Sequence, residues 1–340
     1  IIPILHLPFM LSPTHPIHFI GPPQEDVDCL GFESPWTSHS STEWSIDQEY
    51  GSAFKGEFIR FHSRYSEILA RRRVQWQMNY PRERGTLMHR YVLKGIPMRY
   101  RKEVWLRYIP SIAISSSLPI SDSVDYSIQI DLPRTFPDNR LLRIQSIASS
   151  LYRNLYCLAQ HIPSIGYCQG LNFIGALCLV TIGDEKRSRD LLIHLILPRV
   201  HYYTESMSGL LRDLRVLDEI LRRDLPEVHS IIHRLEVGLD LLIGKWFLCL
   251  FIDSLPMETV LRVWDCLIYD GEIWLFKISF RLLKKARKRI VNCQSCDQLL
   301  KCVREIASSR DALECHSLIT TEKDKISKTD IDNLRNQFAR

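Results

Sequence analysis

Residues 139–182 read NRLLRIQSIASSLYRNLYCLAQHIPSIGYCQGLNFIGALCLVTI. In the first half of this stretch, apolar residues recur at steps of three and four, which places them on one helix face; they are Ile144, Ile147, Ala148, Leu151, Leu155 and Leu158. Asp138 or Asn139 is a suitable N-cap for this helix, and Pro163 ends it. After the GYCQG turn, the apolar run 173–182 predicts a second helix that is buried.

The rest of the chain gives the same helical signal. In HRYVLKGIPMRYRKEVW (89–105), Gly95 and Pro97 predict the end of one helix and the start of the next, because Gly suits a C-terminal cap and Pro a first turn. Trp105 is then expected in the core. Strand-like alternation is almost absent, so we expect an all-α fold of about ten or more helices. Further helical patterns lie at 187–197, 209–224, 227–237, about 240–253, 257–268 and 273–290.

Composition divides the chain into four regions. The first is rich in Pro, Ser, Thr and His, which predicts an irregular lead-in. The second carries aromatic residues at helical spacing between charged ones, which predicts an amphipathic helix packed on the main domain. A main helical domain and a C-terminal helix with a polar tail follow. The four regions are 1–50, 51–84, 85–292 and 293–340.

Three further segments carry predictions of their own. Residues 106–127 contain SSS and two prolines and predict a loop. A helix is expected near 297–307. Residues 320–330, TTEKDKISKTD, predict an exposed and disordered tail.

The overall composition is that of a globular protein, with 45% hydrophobic and 24% charged residues. A net charge of +5 does not indicate nucleic-acid binding. No apolar run reaches the ~18–20 residues that a membrane span needs. The apolar start IIPILHLPFML lacks an initiator Met and an N-terminal cluster of positive charge, and it is expected to be a poor signal peptide. Cysteines inside apolar helical patterns indicate reduced thiols, so we expect a cytoplasmic protein.

The basic run RLLKKARKR at 281–289 has two interpretations. It could contact anionic lipid, which would make the protein peripheral on endomembranes. It could equally be the solvated end of a helix, where cations interact favourably with the helix dipole.

The motif CQSC at 293–296, with Cys302, Cys315 and His316 downstream, invites a zinc interpretation. Its spacing matches no common structural zinc pattern, so we predict unpaired thiols and no metal.

The segment IQIDLPRTFPDN at 128–139 presents Arg134 between Pro133 and Pro137. Proline fixes the local backbone, and a residue that precedes a proline, here Phe136, is expected to be extended. Asp131 could pair with a neighbouring cation or backbone amide. A pre-ordered arginine suits phosphate binding, because its guanidinium stays charged and forks onto phosphate oxygens. The alternative is an ordinary arginine on a surface loop.

Gln169 stands between Gly166 and Gly170, which allow close approach of the backbone to a ligand or a helix. A glutamine amide can orient the water that attacks a nucleotide, while an arginine stabilises charge on the phosphoryl oxygens. The alternative for Gln169 is a buried residue at a helix start.

Five segments together resemble the TBC domain of GTPase-activating proteins that act on Rab GTPases. They occur in the family's order over about 200 residues, and Leu171 departs from the family's usual Met after Q-G. The lead-in GFESP (31–35) and the helix after it are similar to the growth hormone-regulated TBC protein group. The segments are GIPMRYRKEVW (95–105), IQIDLPRTFPDN (128–139), GYCQGLNFI (166–174), WFLCLF (246–251) and LPMETVLRVWDCLIYDG (255–271).

The resemblance implies an all-α, multi-helix, V-shaped domain and assigns roles to residues. Arg134 matches the family's arginine finger, and Gln169 its glutamine finger, which replaces the GTPase's own glutamine. Asp131 and Tyr167 match positions that support the two fingers, with Gly170 beside them. Positions expected to be mainly structural are Arg101, Trp105, Trp264 and Asp265.

The function implied is stimulation of GTP hydrolysis by a Rab in its GTP state, and through it a role in vesicle trafficking. The chain would hydrolyse nothing alone and need no cofactor, because the partner binds the GTP and Mg²⁺. No nucleic-acid partner is implied. The alternative is a non-catalytic scaffold or adaptor that binds a Rab through the same groove.

Overall fold

A computed structural model describes residues 20, 26–34, 48–79, 85–113, 119–320 and 324–338. Most of the predicted lead-in at 1–50 lies outside these residues. The described residues form two compact units. We call the described residues 20–34 and 98–209 the central unit, and 48–97 and 210–338 the terminal unit. Residues of the predicted domain at 85–292 fall in both, and its boundaries stay a prediction.

The prediction of an all-α fold is confirmed. Within the described residues, β-pairing is limited to two isolated bridges, Val27 with Glu33 and Phe32 with Asn139. In chain order the helices are α1 Gln48–Met78, α2 Thr86–Lys94, α3 Met98–Leu106, α4 Asp122–Asp131, α5 Gln145–His161, α6 Leu171–Ile182, α7 Glu185–Ile196, α8 Ser208–Asp224, α9 Pro226–Arg234, α10 Leu239–Leu248, α11 Met257–Asp270, α12 Ile273–Val291, α13 Cys296–Arg304, α14 Arg310–Leu313, α15 Cys315–Thr320 and α16 Lys328–Phe338.

The core of the central unit is built from α5, α6 and α7, which contact one another. Helix α6 is the predicted buried helix, with Ile174, Leu177 and Cys178 at 0% exposure. It ends at Gly183 in the left-handed region, and Asp184 then caps α7 by accepting a hydrogen bond from the Arg187 N–H at 2.8 Å. A helix that is apolar all round must lie inside the unit, so α6 fixes the position of the turn that precedes it.

The loop prediction at 106–127 is wrong from residue 122 onward, where α4 begins. Ser121 caps α4 by accepting a hydrogen bond from the Val124 N–H, and Asp122 and Asp125 lie in the first turn, where the helix dipole favours negative charge. The serines and prolines of the segment therefore precede a helix start. Residues 114–118 lie outside the described part.

The predicted start of α5 at Asp138 or Asn139 is also wrong, since the helix begins at Gln145. The Asn139 side chain caps a turn: its Oδ1 accepts the Leu141 N–H at 3.0 Å, and its Nδ2 donates to the Leu30 carbonyl at 3.0 Å. Asn139 is fully buried. It joins the lead-in segment 26–34 to the residues before α5, so this part of the predicted irregular lead-in is packed into the central unit.

In the terminal unit, Gly95 ends α2 with a φ of 109°, as the sequence predicted. A Cβ at Gly95 would lie 2.6 Å from the Arg262 guanidinium carbon, so only glycine fits there. The next residue, Ile96, donates its N–H to Asp265 at 3.3 Å. Trp264 is buried and donates to the Leu250 carbonyl at 3.1 Å. The motif on α11 thus holds the residues that end α2.

Helix α1 is part of the terminal unit and starts at Gln48. Its buried residues are spaced by seven and four, which is one helix face; they are Phe58, Tyr65, Arg72 and Trp76. The Tyr65 hydroxyl donates to Glu258 of α11 at 2.7 Å.

At 320–330 the prediction of exposure is confirmed for most of the residues described there, but the prediction of disorder is wrong. Asp324 pairs with buried Arg281 of α12 at 2.6 Å, and Ile326 is buried. Helix α16 begins at Lys328. Residues 321–323 lie outside the described part.

The basic run at 281–289 lies on α12 and is only partly solvated. Arg281 is buried, whereas Lys284 and Lys288 are exposed. Arg287 pairs with Glu227 at 2.9 Å. Membrane contact through this run stays a prediction. Within the described residues, no helix combines the length and apolar composition needed to cross a membrane.

Candidate functional site

Arg134 ends a short 3₁₀ helix, Leu132–Arg134, that continues α4 without a break. Pro133 lies within the first two positions of this turn, where its missing N–H costs nothing. The Arg134 side chain is 52% exposed and forms an ion pair with Oδ1 of Asp131, three residues earlier in the chain. The guanidinium is therefore both accessible to solvent and oriented by a carboxylate.

Asp131 itself is buried, with 3% of its side chain exposed. Its second oxygen, Oδ2, accepts a hydrogen bond from the Tyr167 hydroxyl at 2.5 Å. Burial and the hydrogen bond to Asp131 raise the pKa of Tyr167 well above its ordinary value, so the phenol stays a donor. One carboxylate thus connects the Arg134 turn to the segment that carries Gln169.

Gln169 lies between two glycines that both take left-handed backbone angles, Gly166 at φ 58° and Gly170 at φ 108°. Gly170 is also the N-cap residue of α6. The Gln169 side chain is half-buried, and within the described residues its amide group makes no hydrogen bond. The turn is held by contacts of Tyr167 and Asn172 and does not use the Gln169 amide, which leaves that group available.

A second connection joins the two segments through side chains that sequence reasoning missed. The Thr135 hydroxyl donates to the Asp131 carbonyl at 2.7 Å and accepts from Asn172 Nδ2 at 2.8 Å. The Oδ1 of Asn172 accepts the Gly170 N–H at 3.0 Å. Thr135 and Asn172 are both buried. A local signal existed for Asn172, since asparagine favours positions at helix starts, but its partner Thr135 lies 37 residues earlier.

Phe136 is not extended, contrary to the expectation for a residue before proline: its φ is 46°. It is 1% exposed, and its ring meets Phe32 and Phe173 edge-on, at centroid distances of 5.2 and 5.0 Å. Burial of this ring between the lead-in segment and α6 outweighs the local backbone preference. Phe136 thus anchors the end of the Arg134 turn between the lead-in segment and α6.

Exposed apolar side chains surround the Arg134 turn along the chain. Tyr126 is 66% exposed and Ile130 45% exposed, and both lie on α4 four residues apart, hence on one face. Leu141 and Ile144 follow the turn and are also exposed. Large apolar side chains exposed together on one helix face, as Tyr126 and Ile130 are, are a feature of surfaces that contact another protein.

Cys168 is not a nucleophile in this site. Burial and the negative charge of Asp131 raise its pKa to about 12, so the thiol stays protonated near neutral pH. The remaining polar groups can bind and orient a phosphate or a water, but they offer no covalent chemistry.

The four residues expected to be structural are not at this site. Arg101 and Trp105 are buried on α3, with about 1% exposure each. Trp264 and Asp265 lie in the core of the terminal unit. Leu171, where the family pattern has Met, is fully buried at the start of α6.

A family model described as "Rab-GTPase-TBC domain" matches residues 99–291. Growth hormone-regulated TBC protein 6 of Caenorhabditis elegans is 45% identical over 298 residues, which cover 87% of each chain. Growth hormone-regulated TBC protein 1 of Homo sapiens is 34% identical over 333 residues, covering 91% of this chain and 94% of the relative.

Two solved structures have a similar fold. The Chlamydomonas flagellar RabGAP TBC domain aligns with a TM-score of 0.63 at 24% identity, covering 86% of this chain and 99% of that one. The Ypt/Rab-GAP domain of Gyp1p aligns with a TM-score of 0.54 at 20% identity, covering 74% and 90%. At these identities the likeness concerns the fold alone.

Proposed function

This chain belongs to the Rab-GTPase-TBC domain family, among relatives of the growth hormone-regulated TBC proteins, and on that premise we propose that it stimulates GTP hydrolysis by a Rab-family GTPase. In this proposal Arg134 and Gln169 act in trans on the partner's nucleotide, and the partner holds the GTP and Mg²⁺. The consequence in the cell is control of vesicle trafficking.

The observation that carries the proposal is the double connection between the Arg134 turn and the Gln169 turn. Asp131 binds Arg134 and Tyr167 through its two side-chain oxygens. The Asn172 side chain donates to the Thr135 hydroxyl, which in turn donates to the Asp131 backbone carbonyl, and so connects the same two segments a second time. Two catalytic groups must approach one phosphate together, and side chains set on rigidly joined segments lose less entropy on binding. A surface arginine without such a role would not need this support.

The proposed role of Arg134 is to stabilise charge on the phosphoryl oxygens during hydrolysis. Its guanidinium carries five N–H donors in a planar fork, so donors remain when one amino group contacts Asp131. An arginine supplied to a GTPase in trans accelerates hydrolysis by roughly 10³–10⁵-fold, which is about 4–7 kcal/mol of barrier.

The proposed role of Gln169 is to orient the attacking water. The carboxamide oxygen accepts a hydrogen bond from the water and the carboxamide NH₂ donates one to a phosphate oxygen, which the half-buried Gln169 side chain can do. The left-handed glycines on either side let the backbone of the turn approach the partner closely.

The partner surface that we propose includes the exposed apolar residues of α4 and of the segment before α5. Tyr126 and Ile130 precede Arg134 by eight and four residues, so a protein that covers them also comes close to the guanidinium. This arrangement excludes water around the reacting phosphate, which strengthens its electrostatic stabilisation.

The test is single-turnover GTP hydrolysis by a panel of purified Rab GTPases. We expect the wild-type chain to accelerate at least one Rab and Arg134→Ala to lose most of that acceleration, about 10³-fold. Arg134→Lys should also fail, since lysine keeps the charge but not the fork. The matched control is Arg153→Ala, because Arg153 is also 52% exposed and ion-paired, with Glu185 at 2.6 Å.

The scaffold alternative makes the opposite prediction. A non-catalytic adaptor would bind a GTP-loaded Rab without changing its hydrolysis rate, and Arg134→Ala would then behave like Arg153→Ala. Failure of the wild-type chain on a complete Rab panel, with binding retained, would establish that alternative.

A further inference from the structure

The terminal unit contains a cluster of three side chains that the proposed function does not use. Asp218 lies on α8, and His229 and His233 lie on α9, after the single connecting residue Leu225. The histidine Nε2 atoms face the carboxylate, at 3.6 Å from His229 and 3.1 Å from His233. One ligand atom from each of the three residues lies within 4.8 Å of the other two.

This geometry is close to that of a metal site. Histidines four residues apart lie on the same face of a helix, as in the H-x-x-x-H spacing of zinc-binding helices. Around a tetrahedral ion with bonds of ~2.0–2.1 Å, neighbouring ligand atoms are about 3.3–3.4 Å apart. The distances to the shared oxygen Oδ2 of Asp218 are 3.6 Å from His229 Nε2 and 3.3 Å from His233 Nε2, close to that value, so small rotamer changes suffice.

The donor set and the access also suit zinc. Two imidazoles and one carboxylate are a common three-ligand set for zinc, with water in the fourth position. The side chains are 18%, 56% and 32% exposed for His229, His233 and Asp218, so an ion and its water can enter from solvent. The two imidazole rings lie 4.1 Å apart and are tilted by 35°, which brings both nitrogens to the same carboxylate.

We propose that Asp218, His229 and His233 bind a zinc ion that joins α8 to α9. The three residues are the only group of three or more such ligands found among the described residues, and the thiols of CQSC at 293–296 are not part of it. The histidine spacing is visible in the sequence HSIIH, but the carboxylate comes from another helix. The site could therefore not be predicted from the sequence alone.

The test is a titration of the chelator-treated 340-residue chain with zinc in competition with a chromophoric chelator. We expect one zinc ion to bind and the melting temperature to rise, because a ligand that binds only the folded state stabilises it. His233→Ala should abolish the binding without unfolding the protein, since His233 is exposed.

The matched control is His89→Ala. His89 also pairs with an aspartate, Asp270, at 3.1 Å, and its side chain is 44% exposed, but this pair is not in a group of three metal ligands. The control should retain zinc binding and the rise in melting temperature.

Cobalt substitution separates this site from binding by cysteine. Bound at His and Asp, Co²⁺ gives only ligand-field bands, whereas thiolate ligands add an intense charge-transfer band in the near ultraviolet. A thiolate band, zinc binding that survives in His233→Ala, or no zinc binding by the wild-type chain would each overturn the proposal.

Discussion

At the scale of the residue, Asp131 decides how the candidate site is held. It is buried and its two oxygens have different partners, Arg134 and Tyr167. A buried carboxylate is stable only when its hydrogen bonds are made, so removal of one partner leaves a desolvated charge. The two proposed catalytic turns therefore depend on one buried side chain.

Tyr167→Phe tests this dependence, since it removes one hydrogen bond and keeps the ring. We expect the free energy of unfolding to fall by about 1.5–3 kcal/mol in urea titrations, because the acceptor is charged and buried. Stimulated GTP hydrolysis should also slow, as Asp131 and Arg134 lose their fixed position.

The matched control is Tyr152→Phe, which removes a tyrosine–aspartate hydrogen bond of 2.7 Å to the less buried Asp125. Its stability loss should be smaller, because water can replace the phenol, and the hydrolysis rate should not change. Equal behaviour of the two variants would contradict the role given to Asp131.

Sequence reasoning found the residues that share a short segment and missed those that meet across the fold. Asp131 and Arg134 are three residues apart, so their pairing could be anticipated from spacing alone. Thr135 and Asn172 are 37 residues apart, and nothing local indicates their contact. Phe136 took a positive φ because its ring is buried, which local backbone preference could not foresee.

At the scale of the element, the Arg134 turn rests on the lead-in segment 26–34. Phe136 follows Arg134 closely and packs between Phe32 of that segment and Phe173 of α6. The ring of Phe32 is fully buried. The lead-in segment therefore supports the candidate site, although we assign no catalytic role to any of its residues.

Phe32→Ala should therefore lower both stability and activity. Loss of a buried phenylalanine costs about 3–5 kcal/mol of unfolding free energy, and the cavity frees Phe136 and the turn before it. We expect a lower rate of stimulated GTP hydrolysis at a temperature where the variant is still folded by circular dichroism.

Phe247→Ala in the terminal unit is the control, because Phe247 is also fully buried and meets Phe276 edge-on at 5.4 Å. It should lose comparable stability and keep the hydrolysis rate while folded. A Phe32→Ala protein with full activity would show that the lead-in segment does not support the turn.

Helices were predicted well and their ends less well, for a physical reason. Periodic burial defines a helix over many residues, and the patterns from 187 to 290 all correspond to observed helices. An end depends on one capping side chain. Ser121 capped α4 inside a predicted loop, and Asn139 turned to Leu30 instead of capping α5.

At the scale of the whole molecule, the pH dependence of stability should carry a contribution from His316. Burial, followed by the positive charges of Arg72, Arg262 and Lys94, lowers the pKa of His316 to about 4. Its Nδ1 lies 3.1 Å from the Arg72 guanidinium, so the imidazole acts as an acceptor in the folded state.

The sign follows from proton binding. Between about pH 6.5 and 4 the unfolded chain binds a proton at His316 and the folded chain does not. The contribution of His316 to the free energy of unfolding is therefore fully present above pH 6.5 and decreases as the pH is lowered toward 4. His316→Gln should flatten this decline in urea titrations at a series of pH values. A decline of the same steepness in the wild type and the variant would show that His316 is not its source.

The family and the helical architecture could be predicted from the sequence, because short motifs and the spacing of apolar residues are local features of the chain. The packing of the lead-in segment and the pairing of Asp324 with Arg281 were not, since each depends on a partner far along the chain. The group of Asp218, His229 and His233 also depends on distant residues, since its carboxylate and its two imidazoles come from different helices.

The central claim is that this chain supplies both catalytic side chains to a Rab. The most direct measurement is single-turnover GTP hydrolysis by a responsive Rab whose own catalytic glutamine has been replaced by alanine. We predict that the wild-type chain and Gln129→Ala, a substitution of an exposed glutamine on α4, still accelerate this Rab, and that Gln169→Ala and Arg134→Ala do not. If the substituted Rab is not accelerated by the wild-type chain, or is accelerated equally by Gln169→Ala, the account is contradicted.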